Sequence, residues 1–124
     1  MLVLTLRAYS LLIAIDFYLV CGDFERLYRR VRNTPVGSKN SAPEVIETVC
    51  SAINMACIWY PKEVLCLQRS AATVCLLRRY SIPAQMIIGA RRMPFKAHAW
   101  VEVTGNVVND KPYTPQMYTL LDRC

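Results

Sequence analysis

Apolar positions along the chain follow a helical period first and an alternating period afterwards. Residues 1–20 are apolar on nearly every side, with Arg7 and Asp16 as interruptions, which predicts a helix covered by other protein. Gly22-Asp23 opens a second helix. In it Phe24, Leu27, Tyr28 and Val31 recur at i, i+3, i+4 and i+7, with Arg26, Arg29, Arg30 and Arg32 outside the stripe. Residues 33–40, containing Pro35 and Gly37, read as a linker. Ser41 and Glu44 then form a capping box, and Val45, Val49, Ile53, Ala56 and Tyr60 make one helical stripe that Pro61 stops. The next helix starts between Glu63 and Cys66 and runs to Arg79. Residues 71–77 contain scarcely a polar position, so this is the central buried helix. Ser81-Ile82-Pro83 ends it.

Three strands are predicted after that break, at 84–89, 97–103 and 107–110, with Thr104-Gly105-Asn106 as a hairpin signal between the last two. Helices first and an antiparallel sheet afterwards predict an α+β fold. A length of 124 residues predicts one domain, with an N-terminal helical segment and linker at 1–40 and a core at 41–124. No internal repeat interrupts this order.

Composition narrows the function classes. Hydrophobic residues make up 54% of the chain and charged ones 19%, which argues for a filled core rather than disorder. The net charge of +6 favours acidic partners. The arginines occur as local pairs, Arg29-Arg30, Arg78-Arg79 and Arg91-Arg92, with no aromatic residues interleaved, so no specific nucleic-acid partner is expected. The N-terminal run lacks the leading charge and cleavage site of a signal peptide. Arg7 and Asp16 interrupt it, so no transmembrane segment is expected.

Six cysteines and one histidine set the chemistry. No cysteine pair has C-x-x-C spacing, and a single histidine cannot complete the common zinc ligand sets. Neither metal nor cofactor is expected, and the thiols read as reduced in a cytoplasmic protein. Cys66 stands apart from Cys21, Cys50, Cys57, Cys75 and Cys124 because it follows the Pro61 break and begins the buried helix. Helix N-terminal amides favour a thiolate there. Cys75, mid-helix, reads as a packed thiol.

His98 lies on the second strand, where alternation puts His98, Trp100 and Glu102 on one face and Ala97, Ala99, Val101 and Val103 on the other. A thiolate at Cys66 with His98 as general base suits acyl transfer. The Cys66 amide is a natural oxyanion donor, and Trp59, Tyr60 and Gln68 are candidates for the second. Asp110 is the best orienting acid. If Val103 pairs with Val107 across a three-residue loop, Asp110 falls diagonal to His98 on the same face. A two-residue loop turns it away, so the expectation is three, with Gly105 or Asn106 at positive φ, unless a bulge resets the register. Asn109 has the wrong parity, and Glu102 lies about 13 Å from His98 along the strand.

These residues sit in a longer set of motifs. Cys66-Leu67-Gln68-Arg69-Ser70, Leu76-Leu77-Arg78-Arg79, Ile82-Pro83-Ala84, Ile88-Gly89-Ala90, Pro94-Phe95-Lys96-Ala97-His98-Ala99-Trp100-Val101-Glu102-Val103 and Val108-Asn109-Asp110 occur in order, and the chain closes on Tyr118-Thr119-Leu120-Leu121-Asp122-Arg123. Over about residues 62–124 the chain resembles the transglutaminase-like leader peptidases of lasso-peptide biosynthesis. Ser81 departs from that pattern, where glycine is expected. The resemblance implies a papain/transglutaminase-like fold with a Cys66–His98–Asp110 triad. It implies cleavage of the leader from a ribosomally made precursor peptide. It further implies a discrete leader-recognition protein and a macrolactam synthetase as partners, with the N-terminal helices either a docking surface or packed on the core. A transglutaminase-like acyltransferase and a non-catalytic peptide-binding module are the alternatives.

Overall fold

A computed structural model describes residues 2–36 and 43–124. The predicted capping residue Ser41 therefore lies outside the described residues, as does the second half of the linker. Helix α1 (Leu2–Cys21) leads into α2 (Phe24–Arg32), α3 (Pro43–Trp59) and α4 (Cys66–Arg79). Strands β1 (Ala84–Arg91), β2 (Lys96–Val103) and β3 (Asn106–Val107) follow, then a one-turn helix α5 (Thr114–Met117) and β4 (Thr119–Arg123). The strands form one four-stranded sheet in the order β3-β2-β1-β4, with antiparallel neighbours. Helices on a small antiparallel sheet make this an α+β fold, as the hydrophobic pattern predicts.

Helix α4 is the hub. Residues 70–78 and Gln68 are buried, and α4 packs against α1, α3, β1 and β2. Burying so long a run requires its one charged member to be satisfied. Arg78 Nε donates to the Ala84 carbonyl at 3.0 Å, and Nη1 donates to Val31 O and Thr34 O. One guanidinium thus joins the end of α4 to the start of β1 and to the carbonyl end of α2, where a cation suits the helix dipole. Asp23 caps the other end of α2, accepting from the Arg26 amide at 2.9 Å.

Four expectations change. Helix α1 is not covered all round: Ala8, Leu12 and Ile15 are buried, whereas Leu2, Val3, Leu6, Phe17 and Val20 are exposed. By length and composition it also passes as a membrane span, despite Arg7 and Asp16. The β2–β3 loop has two residues, because Val103 pairs with Asn106 and Glu102 with Val107. Thr104 (φ 49°) and Gly105 (φ 83°) both take the left-handed conformation that suits a two-residue hairpin. Strand β3 stops at Val107 rather than reaching Asp110. Finally, a fourth strand exists. Its Thr-Leu-Leu-Asp-Arg sequence lacks alternation because it is an exposed edge strand with neither face in the core.

Candidate active site

Cys66 is the first residue of α4, and the helix start is held from α1. The cap position is Leu65, whose side chain offers no acceptor. Gln68 supplies the reciprocal half of a cap, its Oε1 accepting from the Leu65 amide at 2.8 Å. The Gln68 amide is itself fixed, because Nε2 donates to Asp16 Oδ1 at 2.8 Å. Asp16 also accepts from the Tyr60 hydroxyl at 2.8 Å and pairs with Lys62 at 2.9 Å. Burial opposes the Asp16 charge, but Lys62, Tyr60 and Gln68 outweigh it and hold the carboxyl below its ordinary pKa. Burial and Asp16 together push the Tyr60 phenol up to about 12. Gln68 and Tyr60 are thus both engaged with Asp16. Trp59 is largely exposed.

His98 and Asp110 meet at the sheet edge. His98 Nε2 lies 2.5 Å from Asp110 Oδ2, and both side chains are mostly shielded from solvent. Burial alone would raise the Asp110 pKa. Hydrogen bonds from His98, the Lys111 amide and Thr114 outweigh that and lower it instead. The His98 ring stacks on Tyr118 at 5.2 Å and on Trp100 at 6.0 Å. Behind them, a Cβ at Gly89 would lie 2.8 Å from Trp100 and from Tyr118, so only glycine lets these rings lie against β1. Glu102 is occupied elsewhere, accepting from Trp100 Nε1 at 2.9 Å.

Strand register does not bring Asp110 to His98, since the two-residue loop has the wrong parity. Asn109 does it instead. Its Oδ1 accepts from the Val101 amide at 2.8 Å, and its Nδ2 donates to Ser70 Oγ at 3.1 Å. This side chain takes the place of a ladder partner, ends β3 and ties the bend at 108–110 to both β2 and α4. The parity rule discounted Asn109. The readiness of asparagine to hydrogen-bond nearby backbone where a strand ends was the signal that could have found it.

Cys66, His98 and Asp110 line one cavity of about 330 Å³, with Val64, Arg69, Ala99 and Asn109. Other thiols sit in different surroundings. Burial pushes the Cys50 thiol up to about 11 and raises Cys75 as well. A half-buried thiol at a helix start, sharing a cavity with an imidazole backed by a carboxylate, has the groups that thioester formation and hydrolysis need.

Residues 11–122 match the transglutaminase-like superfamily. A 47-residue stretch is 47% identical to the Microcin J25-processing protein McjB of Escherichia coli, covering 38% of this chain and 23% of that protein. The matched stretch thus spans less than a quarter of this relative. No solved structure matches. The superfamily match begins on α1, takes in the whole of α4 and the sheet as far as β4, and so contains every residue of the cavity: the chain belongs to the transglutaminase-like superfamily.

Proposed function

We propose that this protein is a cysteine peptidase that removes the leader from a ribosomally made lasso-peptide precursor, with Cys66 as nucleophile, His98 as general acid–base and Asp110 as the orienting acid. The observation that carries this reading is the shared cavity in which Cys66 faces the same space as the His98–Asp110 pair. The similarity to a microcin-processing protein supports a peptide substrate.

With Nε2 held by Asp110, Nδ1 is the imidazole nitrogen left for the thiol. The Cys66 thiolate attacks the scissile carbonyl carbon. The oxyanion that forms is met by the Cys66 amide, one of the unpaired donors at the start of α4. The intermediate collapses as the C–N bond breaks, and imidazolium gives its proton to the departing amine. His98 then takes a proton from water, hydroxide adds to the thioester, and C–S cleavage restores the thiolate. Asp110 holds the ring orientation through both steps. The reaction takes place in a single catalytic domain in the cytoplasm, alongside a leader-recognition protein and a macrolactam synthetase that closes the released N-terminus into a ring.

Incubating the protein with a precursor peptide and the leader-recognition protein, followed by mass spectrometry, tests the proposal. Hydrolysis at the leader–core junction, abolished by Cys66→Ala, is the expected result. An amine cross-link in place of a hydrolysed junction would assign the protein to acyl transfer.

A further inference from the structure

A second groove adjoins the proposed catalytic ring and has a chemistry of its own. It has a volume of about 620 Å³, and its lining includes Arg91, Arg92, Phe95, Met117, Tyr118 and Leu121. Tyr118 belongs to this groove and also stacks on His98, so groove and cavity meet across one pair of rings. Phe95, Met117 and Leu121 are exposed, which gives the groove an apolar lining open to solvent. Arg91 lies over the Tyr118 ring, 5.8 Å from its centroid. Its Nε is buried and has no hydrogen-bond partner, an unusual state for a charge-bearing donor. No carboxylate pairs with Arg91 or Arg92 among the described residues.

We infer that this groove is a substrate subsite for a peptide stretch in which an acidic side chain is flanked by apolar ones. A carboxylate satisfies the guanidinium of Arg91 and neighbours that of Arg92, in the forked geometry arginine favours. The flanking apolar side chains cover Phe95, Met117 and Leu121. The occupant is the peptide being cleaved, because Tyr118 makes the groove continuous with His98 and the chain's positive charge complements acid. This rests on the peptidase reading and adds the chemical class of residue selected beside the scissile bond.

Fluorescence anisotropy on full-length Cys66→Ala protein tests it without needing turnover. The probes are fluorescein-labelled Gly-Glu-Leu-Glu-Phe-Glu-Gly and its counterpart with glutamine at each glutamate. They are compared at about 150 mM salt, where diffuse attraction is screened. The acidic peptide is expected to bind about tenfold more tightly. R91Q/R92Q is expected to remove the difference, and R29Q/R30Q, a distant arginine pair, to leave it. Where circular dichroism shows R91Q/R92Q unfolded, Arg92→Gln alone is expected to narrow the gap. Equal affinity for the two peptides, a difference that survives in folded R91Q/R92Q, or a difference left undiminished in Arg92→Gln would overturn the subsite. The nucleophile is absent from this measurement. Equal affinity therefore overturns the subsite and leaves the peptidase reading standing, whereas discrimination without cleavage by the wild type would leave an acidic-peptide groove and overturn its role as a substrate subsite.

Discussion

At the Asp110 carboxylate, burial and hydrogen bonding pull in opposite directions, and hydrogen bonding wins. Replacing it separates its two contributions. Asp110→Ala removes the ring's partner and should lower kcat on the order of 10²–10⁴-fold. Asp110→Asn keeps an acceptor oxygen but not the charge, so it should be impaired less, with both variants folded by circular dichroism. Cys75→Ala should keep substantial activity, because that thiol is buried away from the cavity and burial raises its pKa. Asn109→Ala strands the Val101 amide and the Ser70 hydroxyl together. It should cost about 1–3 kcal/mol in urea unfolding and reduce kcat through the displaced Asp110 bend, with KM changing less.

Between elements, the Asp16 network is the joint that couples α1 to the start of α4. Its carboxyl pKa is lowered on folding, so its stabilisation is present above the ordinary carboxylate value and is lost as pH falls through the lower folded value. Asp16→Asn should therefore destabilise by about 1–3 kcal/mol near neutral pH, with the gap to wild type closing below about pH 4. Thermal melts across pH check this. Ser81 sits at φ 65° at the turn after α4, where glycine carries no steric penalty. Ser81→Gly should raise stability by about 1 kcal/mol. Helices with a strong stripe, such as α2 and α3, were legible from spacing alone, as was α4 from its unbroken apolar middle. The hairpin register was not, since Thr104 at positive φ is rare and nothing local announces it. The three-residue loop expected to carry Asp110 to His98 is absent. Asp110 reaches His98 because an asparagine side chain stands in for backbone pairing, a tertiary contact with Ser70 39 residues away that no local period encodes. The edge strand β4 was missed for the same reason, since it forms against β1 rather than around a core of its own.

Across the molecule, the helical layer brings the thiol, the sheet brings the imidazole and the bend after β3 brings the acid, so the site exists only when the two layers pack. Asn109 and Ser70 bridge these layers on one side of the cavity. Asp16 and Gln68 hold the helix start on the other. The basic groove beyond Tyr118 extends the same surface for substrate. The most direct test compares initial cleavage rates of one precursor peptide, with the leader-recognition protein present, for wild type, Cys66→Ala, Cys75→Ala and Asp110→Ala, each verified as folded. The expected result is junction hydrolysis by wild type and Cys75→Ala, a rate lowered on the order of 10²-fold or more for Asp110→Ala, and none for Cys66→Ala. Cleavage by Cys66→Ala at the wild-type rate, or a folded but inactive Cys75→Ala, would contradict the assignment of Cys66 as nucleophile.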